Sequence, residues 1–368
     1  MDTIDPSKIK KIAINTGGGD APGLNAVIRA ATLAALRQGW EVYGIRHGYR
    51  GLLDSKYLIQ LTKDRVRGIT HLGGTILGTA NKGDPFNFPM EGKNGIEMVD
   101  ISDRAVENFR KLKFDALITI GGDGSHRIAH SFIQKGMPII GVPKTIDNDM
   151  IGTDVTFGFD TAVTTATDAI DKLHSTAESH ERVMVVEVMG RYAGWLALNS
   201  GLAGSAHAIL IPEIPFDIEK VCEKIYSREA AGRHYSIVVC AEGAYPKNGG
   251  LIVQDENIIG RREPLLGGVA KYVEKEIARI TGKETRSLVL GHLQRGGSPS
   301  SFDRLLGLRF GAAAIQTLLE GKINVMVALD PPIVKTIPIE DVIKGMKSVP
   351  LDCDSIHVAR YLGVSLGD

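Results

Sequence analysis

The chain has no excess of either charge and no long apolar run. Its 368 residues include 43 lysines and arginines against 43 aspartates and glutamates. This balance gives no electrostatic reason to expect a nucleic acid or a membrane surface as a partner. No apolar run approaches the ~18–20 residues that cross a bilayer. The polar N-terminus, MDTIDPSKIKK, lacks the pattern of a secretory signal, so we expect a cytoplasmic protein.

Cysteine is also scarce, whereas glycine is abundant. Cys222, Cys240 and Cys353 have no metal-ligand spacing, and we expect them to be reduced, packed thiols. The 43 glycines suit a fold with many strand-to-helix turns. Because the length exceeds that of a typical single core, we expect two domains.

Strand patterns alternate with helix patterns along the chain. We predict strands at Lys11–Thr16, Glu41–Ile45, Ala116–Ile120, Ile139–Val142, Val183–Val188, Ala208–Ile211, Ser236–Ala241 and Ser287–Leu290. Helical patterns cover Leu24–Gln38, Asp103–Lys111, Val163–Ala177, Ile218–Arg228, Val269–Ile280 and Arg304–Leu319. This alternation predicts the α/β class with mostly parallel sheets.

Two of these strands are followed by loops that carry carboxylates. Gly121–Ser125 follows one strand, and residues 143–149, PKTIDND, follow the next. Ligands of open parallel sheets sit beyond the carboxyl ends of the strands, and glycines let backbone N–H groups approach phosphate. Asp123 can hold Mg²⁺ that phosphate oxygens share, and Asp147 can accept a proton from a hydroxyl. The helix that starts near Ser125 adds a positive dipole end, so the stretch predicts phosphoryl transfer.

Each loop alone also has a simpler explanation. Gly-Gly and Asp-Gly are ordinary turn signals, and an acidic loop is often only solvated. The glycine loop at residues 17–23 is either a phosphate cradle or a tight turn. Lys82, in the glycine-rich segment His71–Phe88, either balances phosphate charge or is merely exposed. Residues 90–100 are polar and predict a surface excursion.

Charged residues also lie near strand ends in the second half of the chain. Glu242 follows one predicted strand, and arginines and a histidine flank others: Arg182, Arg191, Arg286, His292 and Arg295. Arginine matches phosphate with two parallel hydrogen bonds, so this group can bind the phosphate of an acceptor substrate. Each of these residues taken singly is more typical of a surface ion pair, and it is their shared placement next to strand ends that favours phosphate binding.

Seven stretches of the sequence match one family in its order. They are GGGDAPGLNAVIR, GGTILGTANKG, IGGDGS, PKTIDNDMIGTDVTFGFDTA, SHERVMVVEVMGRYAGWLAL, AEGAY and ETRSLVLGHLQRGGSPSSFDR. The chain resembles the phosphofructokinase A family, which phosphorylates fructose 6-phosphate, from about Lys10 to Leu319.

The resemblance implies an architecture and an assembly. It implies two Rossmann-like, three-layer α/β domains with the active site in the cleft between them. The nucleotide-binding domain would comprise residues 1–158 plus 296–345, and the sugar-phosphate domain residues 159–295 plus 346–368. It also implies a homodimer or homotetramer in which Arg182 and Arg286 reach a neighbouring subunit's site.

The resemblance also implies the roles of individual residues. Asp147 matches the catalytic base, and Asp123 matches the Mg²⁺-associated aspartate. The positions that match the ATP-phosphate loops are Gly19, Lys82, Gly122, Asp123, Gly124 and Ser125. The implied substrate-binding residues are Thr145, Ile146, Asp147, Asp149, Arg182, Met189, Gly190, Arg191, Glu242, Arg286, His292, Leu293, Gln294 and Arg295. The implied activity is transfer of phosphate from MgATP to the 1-hydroxyl of fructose 6-phosphate.

The two residues that bear on the choice of phosphoryl donor match different groups within the family. Gly124 is the residue of ATP-dependent members, whereas Lys144 is shared with pyrophosphate-dependent members. We expect ATP, because an aspartate at position 124 would repel an α-phosphate that pyrophosphate lacks. A pyrophosphate-dependent phosphotransferase is the alternative. Two further alternatives, a non-catalytic sugar-phosphate sensor and another GGDG-type kinase, are disfavoured by Asp147 and by the arginine group respectively.

Overall fold

The computed structural model describes residues 2–80, 84–92, 95–255 and 265–368. The chain forms two compact units, and it passes between them more than once. The first unit comprises Met1–Thr145, Met150–Asp160 and Arg295–Met346. The second unit comprises Ile146–Asp149, Thr161–Gln294 and Lys347–Asp368.

The first unit contains a seven-stranded, mostly parallel sheet among its described residues. Its strands and helices are β1 Lys11–Thr16, α1 Leu24–Arg37, β2 Glu41–Ile45, α2 Arg50–Leu53, β3 Leu58–Gln60, β4 Phe88–Gly92, β5 Gly95–Val99, α3 Ser102–Lys111, β6 Ala116–Gly121, α4 Asp123–Gln134, β7 Ile139–Pro143, α9 Ser301–Leu319, β14 Val325–Asp330, β15 Ile333–Pro338 and α10 Ile339–Val342. The strand order is β15-β14-β7-β6-β1-β2-β3, with antiparallel pairs only at the two edges. The hairpin of β4 and β5 stands apart from this sheet.

Helices cover both faces of this sheet. On β1, Ile12 and Ile14 pack into a core shared with α1 and α9, whereas Ala13 faces a second core with α3 and α4. Alternate side chains of one strand point to opposite faces, so two apolar cores need two helical layers. The unit therefore has three layers, with the carboxyl ends of β1, β6 and β7 side by side.

The second unit is built on the same plan around a smaller sheet. Its strands and helices are α5 Phe159–Ser179, β8 Val183–Val188, α6 Trp195–Ala203, β9 Ala208–Leu210, α7 Ile218–Ala230, β10 Ser236–Ala241, β11 Val253–Asp255, β12 Leu265–Leu266, α8 Val269–Thr281, β13 Thr285–Val289 and α11 Asp354–Tyr361. The main sheet runs β13-β8-β10-β9 and is parallel throughout its described pairs. Helices α7 and α8 pack on one face, and α6 packs closely on the other through Gly201, which lies against Ile209 and Val239.

The structure confirms the α/β class and most predicted elements, and it corrects several boundaries. Strand β13 begins at Thr285, two residues before the prediction, because Thr285 already pairs with Val183 of β8. This strand is at a sheet edge, so its polar residues do not show the apolar pattern of a buried strand. Helix α4 begins at Asp123, two residues before Ser125. Strands β14 and β15 were not predicted.

The surface excursion at residues 90–100 is an ordered, largely exposed hairpin in its described residues. Cys222 and Cys240 are buried free thiols, as expected, while Cys353 is half-buried. Burial raises the pKa of Cys222 to about 11, which keeps this thiol protonated and unreactive. No helix in the described part of the chain has both the length and the apolar character of a membrane span.

Candidate active site

Two glycine loops of the first unit pack directly against each other. They follow β1 and β6, which are parallel neighbours in the sheet. A Cβ on Gly17 would lie 2.5 Å from Ser125 Oγ, and one on Gly121 would lie 2.2 Å from Ser125 Cβ. Only glycine fits at these two positions, so both backbones approach Ser125 at the start of α4. The chain order also reverses beside β1, and this is where open α/β sheets bind ligands.

A lysine from the next strand joins these two loops. Lys144 follows β7, and its N–H donates to the Gly121 carbonyl at 2.9 Å. Its ammonium donates to the Gly19 carbonyl, and the residue is only 3% exposed. The structure thus places a buried positive charge among the backbone groups predicted to hold phosphate. A lysine ammonium is a compact charge that suits phosphate oxygens.

Asp123 is the first residue of α4 and has one carboxylate oxygen available for a metal ion. Its Oδ2 accepts from Arg127 Nε at 2.8 Å. Its Oδ1 is buried and has no hydrogen-bond partner among the described residues. The described residues contain no group of three or more histidine, cysteine or acidic side chains that could form a complete metal cage. One carboxylate fits Mg²⁺, which is usually held by one or two carboxylates together with substrate phosphates and water.

The neighbouring residue, Gly124, faces open space. A Cβ at this position would meet no atom of the described residues within 4 Å. The residue is exposed, and its φ lies outside the left-handed region that favours glycine. The backbone therefore does not itself require glycine at position 124.

His126, on the first turn of α4, contacts the backbone of the same loop. It is fully buried, and its Nδ1 lies 3.0 Å from the Gly122 carbonyl, which identifies Nδ1 as the protonated ring nitrogen. Its Nε2 is buried without a partner among the described residues. Burial lowers the pKa of His126 to about 4, so the ring is neutral near pH 7. The sequence analysis did not identify this residue, although it directly follows the GGDGS motif.

The glycine-rich segment that contains Lys82 also reaches the first glycine loop. Thr79 Oγ1 donates to the Gly18 carbonyl, and Thr16 Oγ1 donates to the Gly78 carbonyl at 2.9 Å. Lys82 itself lies outside the described residues, so its role in the donor site stays a prediction.

Three loops with predicted sugar-binding residues meet at the carboxyl ends of the strands in the second unit's main sheet. They follow β8, β10 and β13. Gln294 is fully buried, and its Oε1 accepts from the Met189 N–H at 3.3 Å. The N–H of Gly243, next to Glu242, donates to the Gly190 carbonyl at 3.1 Å. These bonds place Met189–Arg191, Glu242 and Gln294 next to one another, while His292 and Leu293 are exposed beside them.

The loop with the predicted catalytic base is divided between the two units. Thr145 belongs to the first unit, where its carbonyl accepts from Thr156 Oγ1 at 2.7 Å. Ile146–Asp149 belongs to the second unit. Ile146 is fully buried there, and Asp147 is half-buried. Asn148 has a φ of 53°, a left-handed backbone that non-glycine residues seldom adopt.

Arg182 and Arg286 lie at the amino ends of strands in the second unit's main sheet. Arg182 directly precedes β8, and Arg286 is the second residue of β13, not a residue before the strand. Both guanidinium groups pair with Glu284, at 2.8 Å and 2.6 Å. The hydrogen bond from Arg182 lowers the pKa of the Glu284 carboxyl. The six residues of β8 separate Arg182 from Met189 by about 20 Å along the strand.

Arg295 directly follows Gln294, and the chain returns to the first unit at this residue. Its Nη1 donates to the Asp20 carbonyl at 3.1 Å. A Cβ on Gly19 would come within 2.9 Å of the same nitrogen. The guanidinium therefore packs on the first glycine loop, and its role in a sugar-phosphate pocket stays a prediction.

Comparisons with known proteins place the whole chain in one family. The phosphofructokinase family model matches residues 11–318. An ATP-dependent 6-phosphofructokinase of Chloroflexus aggregans is 51% identical over 362 residues, which cover 98% of this chain and 99% of that protein. A pyrophosphate–fructose 6-phosphate 1-phosphotransferase of Streptomyces coelicolor is 47% identical and covers 92% of this chain and 96% of its own length.

A solved structure shows the same fold. The Pichia pastoris phosphofructokinase in the T-state superposes with a TM-score of 0.78 at 33% identity. The match covers 91% of this chain but only 35% of that longer chain. Sequence motifs, three-layer units and full-length relatives agree. This chain belongs to the phosphofructokinase family.

Proposed function

We propose that this chain transfers a phosphoryl group from ATP to the 1-hydroxyl of fructose 6-phosphate, giving fructose 1,6-bisphosphate and ADP. The observation that carries the proposal is the convergence of both glycine loops and Lys144 at the carboxyl ends of β1, β6 and β7. The full-length relative at 51% identity, an ATP-dependent 6-phosphofructokinase, supports the same activity. The reaction is glycolytic, and we propose that it takes place in the cytoplasm.

The donor site belongs to the first unit in this proposal. Backbone N–H groups at Gly19 and residues 122–124 face the ATP phosphates, while the Ser125 N–H donates to the Gly122 carbonyl. The N-terminus of α4 adds its positive dipole end. Mg²⁺ bound at Asp123 would neutralise charge on the β- and γ-phosphates. Lys82 and Lys144 add positive charge. The loop N–H groups and Lys144 stabilise the transferring phosphoryl because they are fixed before the reaction begins.

Most of the acceptor residues belong to the second unit, together with the base, whereas Thr145 and Arg295 belong to the first. Asp147 takes the proton of the sugar's 1-hydroxyl as that oxygen attacks the γ-phosphorus in line with the departing ADP oxygen. Met189, Gly190, Arg191 and Glu242 hold the sugar, with Thr145, Ile146 and Asp149 next to the base. His292, Leu293, Gln294 and Arg295 contribute to binding at the sugar's 6-phosphate end.

The positions of Arg182 and Arg286 support a homo-oligomer. A hexose phosphate is much shorter than the ~20 Å that the six residues of β8 span. Arg182 and the sugar-binding loop that begins at Met189 therefore lie farther apart along β8 than one sugar phosphate extends. We propose that Arg182 and Arg286 complete the 6-phosphate pocket of a neighbouring subunit, in a homodimer or a homotetramer.

Pyrophosphate is the second candidate donor. It is favoured by the buried ammonium of Lys144 and by the pyrophosphate-dependent relative at 47% identity. We propose ATP because the open space beside Gly124 leaves room for an α-phosphate and holds no carboxylate that would repel it. The ammonium of Lys144 attracts the phosphates of either donor. A carboxylate at position 124 would repel only the α-phosphate, so it would exclude only ATP.

Initial rates with ATP and with pyrophosphate, at matched Mg²⁺ and saturating fructose 6-phosphate, test the activity and the donor. Asp147→Asn should lower kcat by about 10²-fold or more, because the amide cannot accept the proton. Calorimetric binding of fructose 6-phosphate should be retained. Asp171→Asn, on the exposed face of α5, is the matched control and should keep wild-type kcat. Wild-type protein that binds the sugar phosphate without turnover would instead support a sensor.

A further inference from the structure

The C-terminal part of the chain returns to the catalytic loop. We name residues 347–349 the C-terminal strap. The Lys347 N–H donates to the Asp149 carbonyl at 2.8 Å, and Lys347 Nζ donates to Asn148 Oδ1 at 3.0 Å. Two hydrogen bonds from one residue thus hold Asn148 and Asp149, the two residues that follow Asp147, within the second unit.

The residue held by the lysine is the one with an unusual backbone. Asn148 is 4% exposed, has a φ of 53° and lies between Asp147 and Asp149. Asparagine adopts this conformation more readily than most non-glycine residues, and a side-chain hydrogen bond helps to fix it there. A change at Asn148 would redirect the carboxylates on either side, because the three residues share consecutive peptide planes.

The other contacts of the strap lead to the sugar-binding loop. Trp195 Nε1 donates to the Lys347 carbonyl at 3.0 Å, and Lys347 Nζ lies 5.5 Å from the Trp195 ring centre. The Val349 N–H donates to Glu213 Oε1 at 2.8 Å. The same carboxylate accepts from the Gly194 N–H at 3.0 Å and 3.1 Å.

Gly194 and Trp195 follow the sugar-binding loop Met189–Arg191 along the chain, with two residues between them and Arg191. The strap therefore joins two segments that carry different parts of the proposed site. One segment holds the base, Asp147, and the other holds the sugar. Neither Lys347 nor Glu213 lies in a stretch that the sequence analysis connected with function.

We propose that the C-terminal strap positions the catalytic loop against the sugar-binding loop, with Lys347 and Glu213 as positioning residues for phosphoryl transfer. The proposal rests on the proposed function of Asp147 as the base. Lys347 holds Asn148 and Asp149, and Glu213 fixes the strap to Gly194. Small displacements of a base from its hydroxyl reduce the rate strongly, so the strap acts on turnover rather than on ATP binding.

Full-length Lys347→Met tests this assignment through kinetics. We expect kcat for fructose 6-phosphate to fall about tenfold or more, while KM for ATP changes less than about twofold. Lys347→Arg keeps a charged donor and should recover part of kcat. Lys344→Met is the matched control, because Lys344 is an exposed lysine three residues earlier that pairs with Asp341. Normal kcat in Lys347→Met would overturn the proposal.

Amide hydrogen exchange gives a readout that does not depend on turnover. Peptides that cover residues 145–152 should exchange faster in Lys347→Met than in Lys344→Met, and Glu213→Gln should show a smaller increase. Unchanged exchange in both strap variants would also overturn the proposal. If the wild type does not phosphorylate fructose 6-phosphate, the proposed function fails, and exchange alone then decides whether the strap orders this loop.

Discussion

Gly124 is the residue at which a single side chain should change the choice of phosphoryl donor. Because a Cβ there meets no atom within 4 Å in the described part of the chain and φ is not left-handed, Gly124→Asp should fold normally. Its carboxylate would face the α-phosphate of ATP. We expect at least a tenfold loss of kcat/KM for ATP, about 1.4 kcal/mol of transition-state stabilisation.

Gly124→Ala separates charge from volume in this experiment. Alanine adds the Cβ without the carboxylate, so it should keep most of the ATP activity. Initial rates with both donors at matched Mg²⁺ measure the effect. Full ATP turnover by Gly124→Asp would show that position 124 does not set the donor in this chain.

Helix α4 carries a buried histidine whose titration should weaken the fold in acid. The pKa of His126 is about 4 in the folded protein because of burial, against about 6.5 when unfolded. The unfolded chain therefore takes up this proton first, and stability present above pH 6.5 is lost as the pH falls toward 4. Between pH 7 and pH 5 the loss from this group is about 2 kcal/mol.

Denaturant unfolding at the two pH values measures this contribution. His126→Gln should lower stability at pH 7, because it disturbs the packing beneath Gly122, but should reduce the further loss at pH 5. His130→Gln, on the same helix, is the matched control and should retain the full wild-type difference. An unchanged pH difference in His126→Gln would show that His126 does not couple protonation to unfolding.

The proposed exchange of arginines between subunits is testable on the whole molecule. Asp147→Asn and Arg286→Ala should each have low activity at limiting fructose 6-phosphate. In a mixed dimer, one site has Asp147 from one chain and Arg286 from the other. Co-refolding equal amounts should then restore about a quarter of the wild-type sites.

A second pair of variants provides the control for this complementation. Arg191 lies in the same unit as Asp147 of its own chain, so Asp147→Asn mixed with Arg191→Ala should restore no activity. Equal recovery in the two mixtures, or no recovery in either, would contradict a site shared between subunits.

The sequence by itself determined the α/β class, the positions of most strands and the family. A strand that is buried on both faces must be apolar along its length. Strands such as Val183–Val188 and Ser236–Ala241 can therefore be recognised from a few consecutive residues. The glycines at positions 17 and 121 are also visible in the sequence. Their reason, contact with Ser125, became clear only when β1 and β6 paired.

The tertiary structure alone decided which distant residues meet. The edge strand β13 and the hairpin strands β4 and β5 have weak apolar patterns in the sequence. Their strand conformation depends on pairing with a partner strand rather than on burial of their own side chains. Arg182 and Arg191 are nine positions apart in the sequence, but Arg182 precedes β8 and Arg191 lies beyond its other end. Lys347 lies about two hundred residues from Asn148, and no local pattern indicates their hydrogen bond. Contacts of this kind arise from the path of the folded chain, because hydrophobic periodicity specifies elements but not which loops come together.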